Sequence, residues 1–128
     1  MSNTINKAVK VSYEILDTPR GKRIKINTEV LEAPTQDGTL DWLYKHIECR
    51  TVTVAYLPNG VLAWVSDEGL LVSGNVVSKV GDCPLAGSII FSLSETDDEG
   101  NTLWFDTVEK LDECLDMIGK LEISGVTR

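Results

Sequence analysis

The sequence has 128 residues and a mass of 14.1 kDa, with 42% hydrophobic and 25% charged residues. This composition is ordinary for a globular protein, so it excludes a collagen-like or wholly disordered chain, and we expect residues 1–128 to form a single domain. No apolar run approaches the roughly 20 residues that a membrane-spanning helix needs, and residues 1–10 lack the apolar core of a secretory signal. We therefore expect a cytoplasmic protein with no membrane partner.

The net charge is −8, and it is divided unevenly along the chain. Residues 1–50 carry eight Lys or Arg and seven Asp or Glu, whereas residues 51–128 carry four Lys or Arg and thirteen Asp or Glu. An acidic second half repels the phosphates of nucleic acids, so direct nucleic-acid binding is not expected.

The first predicted element is a strand at 8–16, because apolar and polar residues alternate there with a period of two. A turn containing Pro19 and Gly21 separates it from a second alternating run at 22–31. Together they predict an antiparallel hairpin with one face on the core and the other in water. Cations on its polar face should discourage uncontrolled edge pairing.

A helix is predicted at about 38–48, because apolar residues recur there at helical spacing. These are Leu40, Leu43 and Ile47. Asp37 or Thr39 is the expected N-cap. Residues 51–57 and 61–66 then predict a second hairpin around a Pro-Asn-Gly turn. In its second arm Trp64 is out of phase with the apolar residues. It is therefore either exposed on the second face of the sheet or, as we favour, buried beneath a helix.

The segment 70–87 is interrupted by glycines and Pro84, and its residues 75–80 fit a short helix or a strand equally well. A strand follows at 88–94, and residues 103–105 are a candidate short strand. A C-terminal helix is predicted at about 107–119, with Asp106 and Glu109 as a capping box. Its expected apolar stripe consists of Val108, Leu111, Leu115 and Ile118.

These elements predict an α+β fold with a mainly antiparallel sheet built from hairpins, one inserted helix and one C-terminal helix. The central part of the sequence, residues 40–93, contains the segments Leu40-Asp41-Trp42-Leu43, Ile47-Glu48, Leu57-Pro58-Asn59-Gly60, Asp67-Glu68-Gly69-Leu70, Asn75 and Leu85-Ala86-Gly87-Ser88-Ile89-Ile90. In these segments it resembles a family of small phage- and plasmid-borne proteins catalogued as domain of unknown function 3846. The resemblance implies a bacterial mobile element and a location inside the host cell, but no chemistry.

Catalytic and metal chemistry find little support in the sequence. The three cysteines, Cys49, Cys83 and Cys114, are odd in number and widely spaced, which favours buried reduced thiols over disulfides. A zinc site would join them to His46, the one histidine, without the close paired spacing that zinc ligands usually show. A Cys49–His46 nucleophile is a further alternative. We expect no metal, no cofactor and no enzymatic activity.

The first functional hypothesis is a non-enzymatic mobile-element protein that binds and modulates or inhibits a host protein, such as a defence factor. Its acidic C-terminal surface would enter a basic groove of the host protein, as DNA would. The residues proposed for this contact are Asp97, Asp98, Glu99, Asp106, Glu109, Asp112, Glu113 and Asp116.

The alternative hypothesis is a small-molecule binder that sequesters a nucleotide signal. Cations of the first hairpin would bind the phosphates and an aromatic residue would stack on the base. The candidate residues are Arg20, Lys22, Arg23, Lys25 and Trp64.

A homodimer is also expected, because the sheet, two amphipathic helices and three tryptophans hold more apolar surface than one small core can bury. The dimer contact should use an aromatic-bearing face rather than the acidic helix, since acidic surfaces repel each other.

Overall fold

The computed structural model describes residues 6–34, 38–57, 60–69, 75–80, 83–96, 98–100 and 102–126. Its strands and helices follow one another along the chain as β1 (Lys7–Thr18), β2 (Gly21–Glu32), α1 (Thr39–Ile47), β3 (Val52–Leu57), β4 (Val61–Ser66), β5 (Val76–Val80), β6 (Cys83–Ala86), β7 (Ile89–Leu93), α2 (Val108–Ile118) and β8 (Glu122–Val126).

The strands form two antiparallel sheets. The larger has five strands in the order β2-β1-β7-β4-β3, and the smaller has three in the order β6-β5-β8. Each pairing between these strands is antiparallel. The predicted α+β class and both predicted hairpins are therefore confirmed.

The five-stranded sheet is covered on both faces, which makes its middle strand the centre of the molecule. One core cluster joins Phe91 and Ile89 of β7 to α2 and to Leu85 of the smaller sheet. The other cluster joins Ile90 of β7 to Leu43 of α1. Successive side chains of a strand point to opposite faces, so β7 is buried at all five positions.

The two helices lie where the sequence predicts them, but their caps differ. Thr107 is the N-cap of α2, and its side chain accepts a hydrogen bond from the Lys110 backbone N–H at 3.2 Å. The predicted Asp106 capping box is wrong, because Asp106 instead forms an ion pair with the Lys110 side chain at 3.2 Å.

The cap of α1 also differs from the prediction. Gly38 occupies the N-cap position and makes no side-chain hydrogen bond, while Thr39 is already the first helical residue. Asp37 lies outside the described residues. The helix ends at Glu48, whose φ of 60° is left-handed and whose backbone N–H donates to the Tyr44 carbonyl.

In both helices the residues buried by tertiary packing differ from the apolar stripe predicted from the sequence. Leu40 and Val108 stand at the first turns and remain 54% and 53% exposed, so the predicted stripes are too long at these ends. In α2 the buried residues are Cys114 and Ile118, with Leu111 and Leu115 packed at the edge of the cluster.

The last strand is absent from the sequence prediction. Beyond α2, β8 pairs with β5, which resolves the ambiguous 75–80 segment as a strand. The pairing is irregular between Val77 and Ser78. Residues 103–105 do not form a strand of their own, although Phe105 makes an isolated bridge to Lys7.

The strands of the first hairpin, β1 and β2, are longer than β7, the strand with which β1 pairs on its other side. Only Val9, Lys10 and Val11 of β1 pair with β7, so the rest of the hairpin extends beyond that strand. Tyr13 links this extension to the smaller sheet by donating from its hydroxyl to Ser78 Oγ at 2.9 Å. The predicted burial of one hairpin face therefore extends from Val9 to Tyr13, whereas Ile15 on that face is 39% exposed.

Candidate functional site

The candidate binding surface is the acidic face of α2, defined by Glu109, Asp112, Glu113 and Asp116. The spacing of these four residues places them on one side of the helix, because residues three, four and seven positions apart share a face. All four are exposed.

The core fixes the direction in which this face points. Cys114 and Ile118 lie on the opposite side of α2 and are buried against the five-stranded sheet. Rotating the helix to hide the carboxylates would expose these two side chains to water. The acidic face is therefore held toward solvent by packing rather than by contacts of its own.

None of the carboxylates of the acidic face forms an ion pair within the described part of the chain. Lys110, in the same helix, is paired with Asp106 instead. The last turn of α2 carries no basic residue, and Asp116 lies near this end. Because the C-terminal end of a helix is electrically negative, a carboxylate there opposes the helix dipole.

The other acidic candidates are arranged differently. Asp98 and Glu99 are exposed in the turn that precedes Leu103, whereas Asp106 is only partly exposed and paired with Lys110. Asp97 lies outside the described residues. The structure thus brings four of the predicted carboxylates together on one rigid surface, the acidic face of α2.

The cations of the alternative hypothesis lie at the tip of the first hairpin. Arg20, Lys22 and Arg23 line an open depression of about 460 Å³ together with Thr18 and Pro19. Lys25 is exposed farther along β2 but does not line this depression. A phosphate group bound there would meet three cationic side chains.

Trp64 is not part of this basic site. It lies on β4, on the face covered by α1, where it packs against the cluster that contains Leu43 and Ile90. Its indole N–H donates to Ser92 Oγ at 2.9 Å. Trp64 is thus partly buried beneath a helix, as favoured, and it does not line the depression at the hairpin tip.

An aromatic cluster beside α1 is the main arrangement that sequence reasoning missed. The rings of Trp42 and His46 lie 4.4 Å apart, and those of Trp42 and Trp104 lie 5.6 Å apart in an edge-on contact. Burial, followed by the nearby charges of Lys10 and Lys45, lowers the pKa of His46. The four-residue spacing of Trp42 and His46 indicates their contact, but no local pattern indicates Trp104.

The thiols do not form a reactive or metal-binding centre in the described residues. Cys49 packs on the α1 side of the large sheet and Cys114 on the α2 side, so the sheet separates them. Burial raises the pKa of Cys49 and raises that of Cys114 to about 12, which disfavours the thiolate needed by a nucleophile. No group of three metal-ligating side chains occurs in the described ranges, which exclude the side chain of Cys83.

Neither of the two described helices has the length and hydropathy needed to cross a bilayer.

Comparison with known proteins adds no relative. No family model, curated protein or solved structure matches the chain. The resemblance to the domain of unknown function 3846 family therefore stays a prediction from the sequence.

Proposed function

We propose that this is a non-enzymatic binding protein of a bacterial mobile element, such as a phage, that modulates or inhibits a host protein. The acidic face of α2 is the proposed contact surface. Its target is a basic surface of a cytoplasmic host protein, such as the groove by which a defence factor holds nucleic acid.

The observation that supports this proposal is the exposed position of four carboxylates, none in an ion pair among the described residues, on one side of a packed helix. Glu109 in the first turn favours the helix dipole, but Asp112 and Glu113 gain little from it, and Asp116 in the last turn costs the helix about a few tenths of a kcal/mol. Natural sequences tend to retain such local conflicts where function requires them.

The spacing of the carboxylates suits an extended basic partner. Glu109 and Asp116 are seven residues apart, which corresponds to about 10 Å along the helix axis. Complementary charges would speed association and make it sensitive to salt. The complex should form fastest at low ionic strength.

The first prediction tests this contact surface. Replacing Asp112, Glu113 and Asp116 together by lysine should abolish capture of basic host proteins from a bacterial lysate, because the attraction becomes a repulsion. Mass spectrometry of the captured proteins, at low and at physiological salt, gives the measurement.

A matched variant controls for the change in net charge. Glu68, Glu95 and Glu122 are exposed carboxylates outside α2, and replacing them by lysine alters the net charge equally. This control should retain the partner. Survival of every interaction in the α2 variant, or equal loss in both variants, would contradict the proposal.

A second candidate function is sequestration of a small phosphorylated ligand, such as a nucleotide. It is favoured by the depression that Arg20, Lys22 and Arg23 line at the hairpin tip. Denaturing the purified protein and searching the supernatant for 260 nm absorbance or a nucleotide mass tests it. Replacing Arg20 and Arg23 by alanine should remove any ligand found, whereas an empty supernatant speaks against this function.

A further inference from the structure

Strand β2 is a long, open edge of the five-stranded sheet. It stands at the end of the strand order and pairs only with β1 among the described strands. Ile26 and Val30 on this strand are 41% and 45% exposed. An edge with this length and apolar content is a template for another strand.

The hydrogen bonds on either side of β1 show which backbone groups of β2 point outward. Ala33 N–H donates to the Asn6 carbonyl at 3.1 Å, so the odd-numbered residues at this end of the second strand bond to the first. Lys7, paired in register with Glu32, instead exchanges two bonds of 3.0 Å with Phe105 on its far side. Bonded and non-bonded pairs alternate in an antiparallel ladder, so the even-numbered residues of β2, from Lys22 to Glu32, direct their N–H and C=O groups to the free edge.

The charges of β2 are self-complementary about Asn27. A second copy that is paired antiparallel about a two-fold axis at Asn27 places Lys25 opposite Glu29 and Lys22 opposite Glu32. It also places Ile24 opposite Val30. The bonded pairs of this register are the even-numbered residues, whose backbone groups pair with no other described strand.

Two rows of the combined sheet, one on each face, then alternate in sign. Within one copy, Lys25 stands opposite Glu14 and Glu29 stands opposite Lys10. Adding the second copy extends this row to Glu14, Lys25, Glu29 and Lys10 across four strands. On the opposite face of the sheet, a second row places Asp17 and Lys22 beside Glu32 and its ion-pair partner Lys7 of the second copy. Arg23 lies between these two rows and faces the apolar Leu31 of the second copy. Opposite charges across strands stabilise a sheet, whereas like charges destabilise it.

We propose that the occupant of this edge is a second copy of the chain, which joins two five-stranded sheets into one ten-stranded sheet through β2–β2 pairing centred on Asn27. If the two-fold axis is moved by one residue to Ile26, Arg23 faces Glu29. If it is moved by one residue to Thr28, no cation of β2 faces an anion. The cations Lys22 and Lys25 repel strands that lack matching anions, so the edge selects its own copy. Because the two-fold arrangement covers the β2 edge of both copies, association ends at the dimer.

The test is a pair of charge reversals measured by light scattering and analytical ultracentrifugation. Wild-type protein should show twice the 14.1 kDa chain mass at micromolar concentration. Lys25→Glu and Glu29→Lys should each weaken self-association by about thirtyfold, because two like-charge pairs replace two opposite-charge pairs in each dimer.

Mixing the two variants provides the decisive arm. A heterodimer of Lys25→Glu with Glu29→Lys opposes unlike charges at both positions, so the equimolar mixture should recover the dimer mass. Misfolded variants would not recover on mixing. The proposal would be overturned if the wild-type protein had the mass of a single chain at all concentrations. It would also be overturned if the mixture associated no more strongly than either variant alone.

A backbone variant tests the edge independently of charge. Thr28→Pro removes an outward-facing N–H and leaves the bonds to β1 in place, so the chain should fold, by circular dichroism, and remain monomeric. A Thr28→Pro protein that dimerises as the wild type does would show that the copies meet elsewhere.

Discussion

Burial of the Cys114 side chain makes the stability of this protein depend on pH. It is completely buried between α2 and the central sheet, in the core cluster that also contains Phe91 and Phe105. Burial disfavours the charged thiolate and raises the pKa of Cys114 to about 12. The unfolded chain releases this proton more readily than the folded chain does.

The alkaline stability of the protein should therefore depend on Cys114. The folded pKa is above the unfolded pKa of about 8.5, so the stability present below that pH is lost as the pH rises from there toward 12. The slope contributed by Cys114 approaches 1.4 kcal/mol per pH unit in this range. Urea midpoints at pH 7, 8, 9 and 10 measure it.

The comparison for this prediction is Cys114→Ala, which lacks the thiol. The variant should be less stable at pH 7, because it leaves a small cavity, but its stability should fall less steeply in alkali. If the stability of the two proteins fell equally steeply with rising pH, Cys114 would not be the source of this pH dependence.

At the scale of the element, α2 depends on a cap that the sequence pattern misassigned. Both Asp106 and Thr107 are residue types that cap helices, and Glu109 makes the Asp106 alternative resemble a capping box. The extended backbone of Thr107, with φ −133° and ψ 155°, decides between them. Its hydroxyl thereby reaches the Lys110 N–H.

The cap can be tested by substituting the two candidates in turn. Thr107→Ala should lower the free energy of unfolding by about 1 kcal/mol, and Thr107→Ser should retain most of it. Asp106→Ala should cost less, about 0.3 kcal/mol, because it removes only a partly exposed ion pair. Urea denaturation of the three variants gives the order, and a larger loss at Asp106 than at Thr107 would contradict the structure.

At the scale of the whole molecule, the central sheet divides the core into two layers. The three tryptophans, Trp42, Trp64 and Trp104, belong to the α1 layer, whereas Cys114 belongs to the α2 layer. Strand β7 contributes side chains to both layers, so neither layer can lose its packing without exposing part of this strand.

The two layers should therefore unfold together. In a protein with Cys49 and Cys83 replaced by alanine, tryptophan fluorescence reports on the α1 layer and thiol labelling of Cys114 on the α2 layer. Both should give the same urea midpoint, as expected of one cooperative domain. A midpoint for Cys114 labelling well below that of fluorescence would indicate separate units.

Local patterns in the sequence determined the hairpins and the helices. The alternation at 8–16 and 22–31 and the helical spacing of Leu43 and Ile47 depend on contacts between neighbours in the chain, so they can be read without a partner. The exposed side of α2 follows in the same way, because Leu111, Leu115 and Ile118 of the predicted stripe lie opposite the carboxylates. The charge pattern around Asn27 is likewise a property of the sequence.

Only the tertiary structure decided which surfaces are available. Strand β8 has little alternation of its own, and pairing with β5 defines it as a strand. Trp64 has an ambiguous position in the sequence, and α1 covers it in the fold. Among the described strands, β2 stands at the edge of the sheet because β1 turns its other side to β7, a contact between residues about 80 positions apart. Such pairings depend on long-range packing, which no local pattern encodes.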